Sequence, residues 1–228
     1  MENVDIKKLP ELEQFMLHKM YKLNSNFNKY FNNYDFHNLY KELLNFCTVD
    51  LSAFYFDVRK DTLYCDQKNS EKRKSTIMLL NIILNSLLKW FAPILSFTTE
   101  EIYQLMIKKN KSIHLEKFLN FPKKFENSAL NEKWSQLLKI RDLCNLSIEE
   151  KRANKEIGSS LEASLKVNLD KQSLETVKGI DLAELFITSS VEIEKTVSEK
   201  IIVKTNKAKG DKCAVCWKIY LDKCPRHG

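Results

Sequence analysis

IMLLNIILNSLLKWFAPIL, residues Ile77 to Leu95, is the longest apolar stretch of the chain, and its reading decides the fold. A bilayer-spanning helix needs about 20 apolar residues, so the length alone nearly suffices. Asn81, Asn85 and Lys89, however, recur every four residues and form a polar stripe along one helical face. A lipid-exposed helix does not tolerate such a stripe, whereas a helix packed among others does. The stretch is therefore read as a deeply buried helix of a soluble bundle. It stops near Pro93, which cannot continue it.

The neighbouring segments supply partners for that helix. Leu12, Phe15, Met16, Met20 and Leu23 keep helical spacing after Pro10. Phe36, Leu39, Tyr40, Leu43, Leu44 and Cys47 do so after Asp35, a suitable N-cap. Downstream, FTTEEIYQLM predicts a further helix capped by Thr98 or Thr99, with Glu100 and Glu101 in its first turn. Four helices around one core predict a bundle. A polar connection follows, then a helical run from about Leu130 to Ile157, ended by Gly158. Beyond it the period changes from helical to alternating. ASLKVNL, LFITSSVEIEK and KIIVKTN read as strands, with a short helix in DKQSLETVKGID. The expected fold is mainly α. Residues 1–125 form the helical bundle, 126–206 a helical linker and small α+β junction subdomain, and 207–228 a metal-binding tail.

That tail, KCAVCWKIYLDKCPRHG, concentrates the soft ligands of the chain. Cys213, Cys216, Cys224 and His227 follow the pattern Cys-x2-Cys-x7-Cys-x2-His, two chelating pairs that each suit one edge of a tetrahedron. Four protein ligands predict one structural zinc, since a catalytic zinc keeps a position open for water. The tail has too few apolar residues to fold without it. Cys47, Cys65 and Cys144 are scattered without framework spacing and read as packing thiols. His18, His37 and His114 have no second ligand at helical spacing, so packing or surface roles are expected.

Lysine and arginine outnumber aspartate and glutamate 37 to 30, a net +7 that favours a polyanionic partner. From Lys204 onward seven cations face two acids, and Trp217 and Tyr220 lie among them. Cations interleaved with aromatics suit unpaired bases, which stack on rings while phosphates meet Lys and Arg. Trp217 equally suits a lid over the metal. The start of the chain, MENVDIKKLPELEQF, lacks the apolar core of a secretory signal, and a cytoplasmic protein is expected. With four glycines (Gly158, Gly179, Gly210, Gly228), no Gly-rich phosphate cradle is present.

Four blocks in order carry a resemblance: NFCTVDLSAFYFDVRKDTLYCD from Asn45, WFAPILSFTTEEIY from Trp90, LAELFITSSVEI from Leu182 and KCAVCW from Lys212. Together they resemble the C-terminal third of bacterial isoleucyl-tRNA synthetases, of class I, over almost the whole chain. The resemblance implies an anticodon-binding helical bundle, a junction subdomain and a zinc module at the anticodon end of an isoleucine tRNA. The family's ATP-dependent site carries HIGH and KMSKS signatures, and neither occurs in these 228 residues. This polypeptide alone is therefore not expected to aminoacylate, and ATP would serve only a catalytic body, supplied on a separate polypeptide. The second ligand pair, CPRH, departs from the family's more distant and often Cys-x-x-Cys pair. A monomer that touches no membrane is expected.

On this reading Arg59, Lys60, Lys72, Arg73 and Lys74 form a basic rim at one end of the bundle, able to hold phosphates of the anticodon stem-loop. Base reading falls to Trp217, Lys218 and Arg226. Arg59 also suits a structural ion pair with Asp57 or Asp61. The alternative function is a free-standing, zinc-stabilised RNA-binding protein without a role in aminoacylation.

Overall fold

The structure, a computed structural model, describes residues 4–107, 111–197 and 200–228. It divides into two compact units, Met1–Ser128 and Ala129–Gly228.

The first unit is helical. Helix α1 (Glu11–Asn32) buries Leu12, Phe15, Met16, Met20 and Leu23, the face its spacing predicts. Tyr34 takes a left-handed φ of 57° to turn the chain, and Asp35 caps α2 (Phe36–Asn45) by accepting from the Asn38 amide. Of the apolar set predicted for α2 only Leu39 and Leu43 are buried, whereas Phe36, Tyr40 and Leu44 are exposed. The chain continues through a wide π-helical stretch, Phe46–Phe56, into α3 (Asp57–Cys65). The wider turn brings Phe46 and Leu51, five residues apart, into the buried set together, which a 3.6-residue period would not do.

Ser70 caps α4 (Glu71–Phe91), whose Thr76, Leu79, Ile83, Ser86, Leu88 and Trp90 are buried. Deep burial of the whole helix is not observed. Asn81 and Asn85 face outward, together with the partly exposed Ile77 and Leu84, and each Asn amide donates to a carbonyl four residues back. Trp90 is the hub of the unit: its Nε1 donates to buried Asn24, and Phe27, Phe46 and Phe121 surround its ring. Helix α5 (Ser96–Ile107) begins earlier than predicted, so neither Thr98 nor Thr99 caps it and Glu100 and Glu101 lie past its first turn. Thr99 is buried and its hydroxyl donates to the Leu95 carbonyl, as Ser and Thr do inside helices.

The second unit opens with α6 (Ser128–Ala153), which buries Trp134, Leu137, Ile140, Cys144 and Ile148. It ends before the predicted Ile157: Lys155, at φ 58°, supplies the left-handed residue expected of Gly158. Strand β1 (Ala163–Leu169) is central in a three-stranded sheet of order β2-β1-β3. Helices α7 (Lys171–Val177) and α8 (Leu182–Leu185) connect it to β2 (Ser190–Lys195), which runs parallel to it, and β3 (Ile202–Lys207) is antiparallel. The predicted second strand is shorter than LFITSSVEIEK because Leu185 ends α8 and Ile187 turns at φ 57°. Ala163, Leu165, Val167 and Leu169 are fully buried on one face of β1, as alternation requires. Arg141 of α6 donates to the Leu185 carbonyl, Thr176 of α7 to Gln136, and Ser147 hydrogen-bonds Thr205 of β3, which ties the helices to the sheet. No helix among the described residues is long and apolar enough to cross a membrane.

Candidate metal centre and nucleic-acid interface

The tail folds as a small hairpin of β4 (Asp211–Lys212) and β5 (Ile219–Tyr220). Gly210, at φ 120°, leads into it, and a Cβ there would lie 2.0 Å from the Tyr220 carbonyl oxygen, so only glycine fits. Between the strands the chain turns through Cys213 and Cys216. The Trp217 amide donates back to the Cys213 carbonyl and the Cys213 amide to Lys218. Trp217 itself sits at φ 63°, a conformation that costs a non-glycine residue about 1–2 kcal/mol. The hairpin rests on the sheet: the Ile219 amide donates to Ser189 Oγ at 2.6 Å, and Ser189 in turn donates to Leu161. Nothing in the sequence marks Ser189 for this task.

The four predicted ligands converge. Sγ of Cys213, Cys216 and Cys224 and a ring nitrogen of His227 all lie within 4.8 Å of one another. Cys216 Sγ and Cys224 Sγ are 3.8 Å apart, and His227 Nδ1 is 3.5 Å from Cys213 Sγ and 3.3 Å from Cys224 Sγ. A tetrahedral zinc with Zn–S of about 2.3 Å and Zn–N of about 2.0 Å requires edges of about 3.8 Å and 3.5 Å. The residues present therefore fit such an ion.

Local amides prepare the thiols. The N–H groups of Cys216 and Val215 hold Cys213 down to about 6, so its thiolate is available at neutral pH. Burial pushes Cys216 up, opposed by the Lys218 amide and the Arg226 side chain. At Cys224 burial acts upward, but the amides of Arg226 and His227 outweigh it and the thiol is lowered. Burial, and then the neighbouring Cys216 and Cys224, raise the Tyr220 phenol.

The predicted base readers separate. Trp217 is 60% exposed, with the Lys212 ammonium 5.8 Å from its ring centroid, so much of its side chain faces solvent. Lys218, expected at the interface, is buried, and its Nζ donates to the Ala183 carbonyl at 3.2 Å; it anchors the hairpin to α8. Arg226 is exposed at the rim of the metal cluster and contacts Cys216.

The rim of the first unit also sorts. Arg59 does not belong to it: the guanidinium is buried and makes two 2.7 Å hydrogen bonds to Glu13, itself fully buried. Tyr55 OH donates to the same carboxylate, and Thr76 Oγ1 lies 3.3 Å from it. Glu13, which the sequence reading did not single out, is the carboxylate that receives the Arg59 fork, and Asp57 pairs with Lys60. Arg73 Nε donates to the Leu63 carbonyl, which places the ends of α3 and α4 side by side. Lys60 and Lys74 are exposed in i,i+3 pairs with Asp57 and Glu71, contacts weak enough for a phosphate to displace, and Lys72 is half-buried nearby.

This arrangement belongs to a known class. Residues 13–168 match the family described as the anticodon-binding domain of tRNA ligase, and the chain belongs to that family. Along its whole length it is similar to isoleucine–tRNA ligases. That of Pelagibacter ubique is 63% identical over 227 residues, covering all of this chain and 25% of the relative. Those of Bartonella quintana and Agrobacterium fabrum are 37% and 36% identical over 97% of this chain and 24% of each relative. The chain thus spans about a quarter of the length of the curated relatives it matches.

Proposed function

We propose that this chain is the anticodon-arm-binding region of an isoleucine–tRNA ligase, acting in the cytoplasm as a monomer. The observation that carries this reading is similarity to isoleucine–tRNA ligases over the full chain, metal cluster included. Lys60, Lys72 and Lys74 hold phosphates of the anticodon stem, which positions the RNA without reading its sequence. Trp217 stacks on an unpaired base and Arg226 meets the adjacent backbone or base edge. Cys213, Cys216, Cys224 and His227 hold one structural zinc, which fixes the hairpin that presents both residues. Binding energy from this remote part of the tRNA orients the acceptor end toward a catalytic body carrying the ATP site.

A titration with an isoleucine tRNA transcript, and with the same transcript carrying a changed anticodon, tests the reading. Clearly tighter binding of the native anticodon is expected. Equal binding would reduce the chain to a basic RNA surface, and no binding would reject the RNA partner. Metal analysis should return about one zinc per chain, lost in Cys213→Ser; a metal-free, equally folded wild type would reject the site.

A further inference from the structure

We infer that the groove between the open face of the β2-β1-β3 sheet and the metal hairpin binds the sugar–phosphate backbone of an unpaired RNA strand. The inference deepens the proposed function by assigning a second RNA contact to residues outside the metal cluster and the bundle rim.

Strand alternation creates the floor. While β1 buries its four apolar side chains on one face, Ser164, Lys166 and Asn168 are only half-buried on the other. Register sets Ser164 between Ser190 of β2 and Asn206 of β3, and the two serine hydroxyls hydrogen-bond at 2.8 Å. The hairpin supplies the opposite wall through Tyr220 and Lys223, enclosing about 820 Å³. That volume lies within the range of about 300–1,000 Å³ typical of ligand sites.

Charge decides the ligand. Lys207, Lys209 and Lys223 reach the groove from two separate segments, all exposed, and none forms an ion pair among the described residues. Lys166, by contrast, is neutralised by Glu192 at 2.9 Å, and Asp222 is the other acid of the lining. Three exposed ammonium groups against one remaining acid, Asp222, leave the lining net positive, and beside hydroxyl and amide groups they suit successive phosphates and ribose hydroxyls. A recess of this kind admits a single strand, whereas a duplex is met across its grooves.

The test uses the full chain, metal-loaded, and the triple variant K207Q/K209Q/K223Q, titrated over a range of salt with an unstructured oligoribonucleotide, a blunt RNA duplex and the isoleucine tRNA transcript. Each cation withdrawn from a single-strand phosphate removes about 0.7 from the salt slope, so the triple variant should lose about two with the single strand and with tRNA. The slope with duplex should not change, and K139Q/K171Q/K178Q, elsewhere on the same unit, should behave as wild type. An unchanged single-strand slope overturns the groove, as does an equal fall with duplex or in the second triple variant. If the oligoribonucleotide responds as expected but tRNA does not bind, the groove stands and the anticodon-arm reading falls. Circular dichroism and zinc content confirm that each variant is folded.

Discussion

Taking the Glu13 carboxylate out of water costs several kcal/mol, and the Arg59 fork with the Tyr55 hydroxyl is what offsets it. Both partners were visible in the sequence, but neither the pairing nor the burial was, because Glu13 and Arg59 are 46 positions apart and each looks like an ordinary surface charge. The same logic moved Lys218 from the interface to the interior. Removing one partner leaves the other charged and buried, so Arg59→Met should destabilise the first unit by about 3–5 kcal/mol. The double change Glu13→Leu with Arg59→Met should recover most of that loss. Urea unfolding of the three proteins checks this, and equal losses in single and double variants would contradict it.

Elements are joined in the first unit by a clasp at His18. This buried α1 side chain accepts the Asn127 amide through Nδ1 at 2.9 Å, holding the segment that leads out of the bundle. Burial lowers its pKa, Lys22 and Lys19 add to that, and Glu126 and the Phe125 carbonyl oppose it. Because the folded value lies below the unfolded one, the clasp contributes fully above about pH 6.5, and its contribution is lost as pH falls through the folded value. Protonation also turns the Nδ1 acceptor into a donor facing another donor. Unfolding free energy measured from pH 7.5 downward should therefore decline below about pH 6.5. His18→Gln, which keeps an acceptor but does not titrate, should flatten that decline. Patterning predicted α1 and the strand β1 correctly since their burial alternates with their own period. It overestimated the burial of α4, where apolar Ile77 and Leu84 share the outward face with Asn81 and Asn85.

The whole molecule has two cores of different origin. Trp90 and its aromatic ring of neighbours close the first, which groups no set of metal-ligating side chains among the described residues. The second combines an apolar sheet-and-helix core with a hairpin held by Ser189, Lys218 and the cluster of Cys213, Cys216, Cys224 and His227. Metal binding free energy is folding free energy for such a hairpin. A chelator should accordingly lower the melting of the second unit and leave that of the first in place, read by calorimetry with and without EDTA. A uniform shift of the whole melting curve would contradict this partition.

By itself the sequence determined the helical bundle, the change to an alternating period near residue 160, the candidate metal-ligating residues and the family, since each is written in local spacing or in ordered motifs. Only the tertiary structure decided which cations remain available to a partner. Arg59 and Lys218 are withdrawn into the interior, whereas Lys207, Lys209 and Lys223 stay in solvent around one groove. The reason is physical: spacing fixes the face of an element, but the fate of a charge depends on the dielectric and the partners that distant segments bring to it.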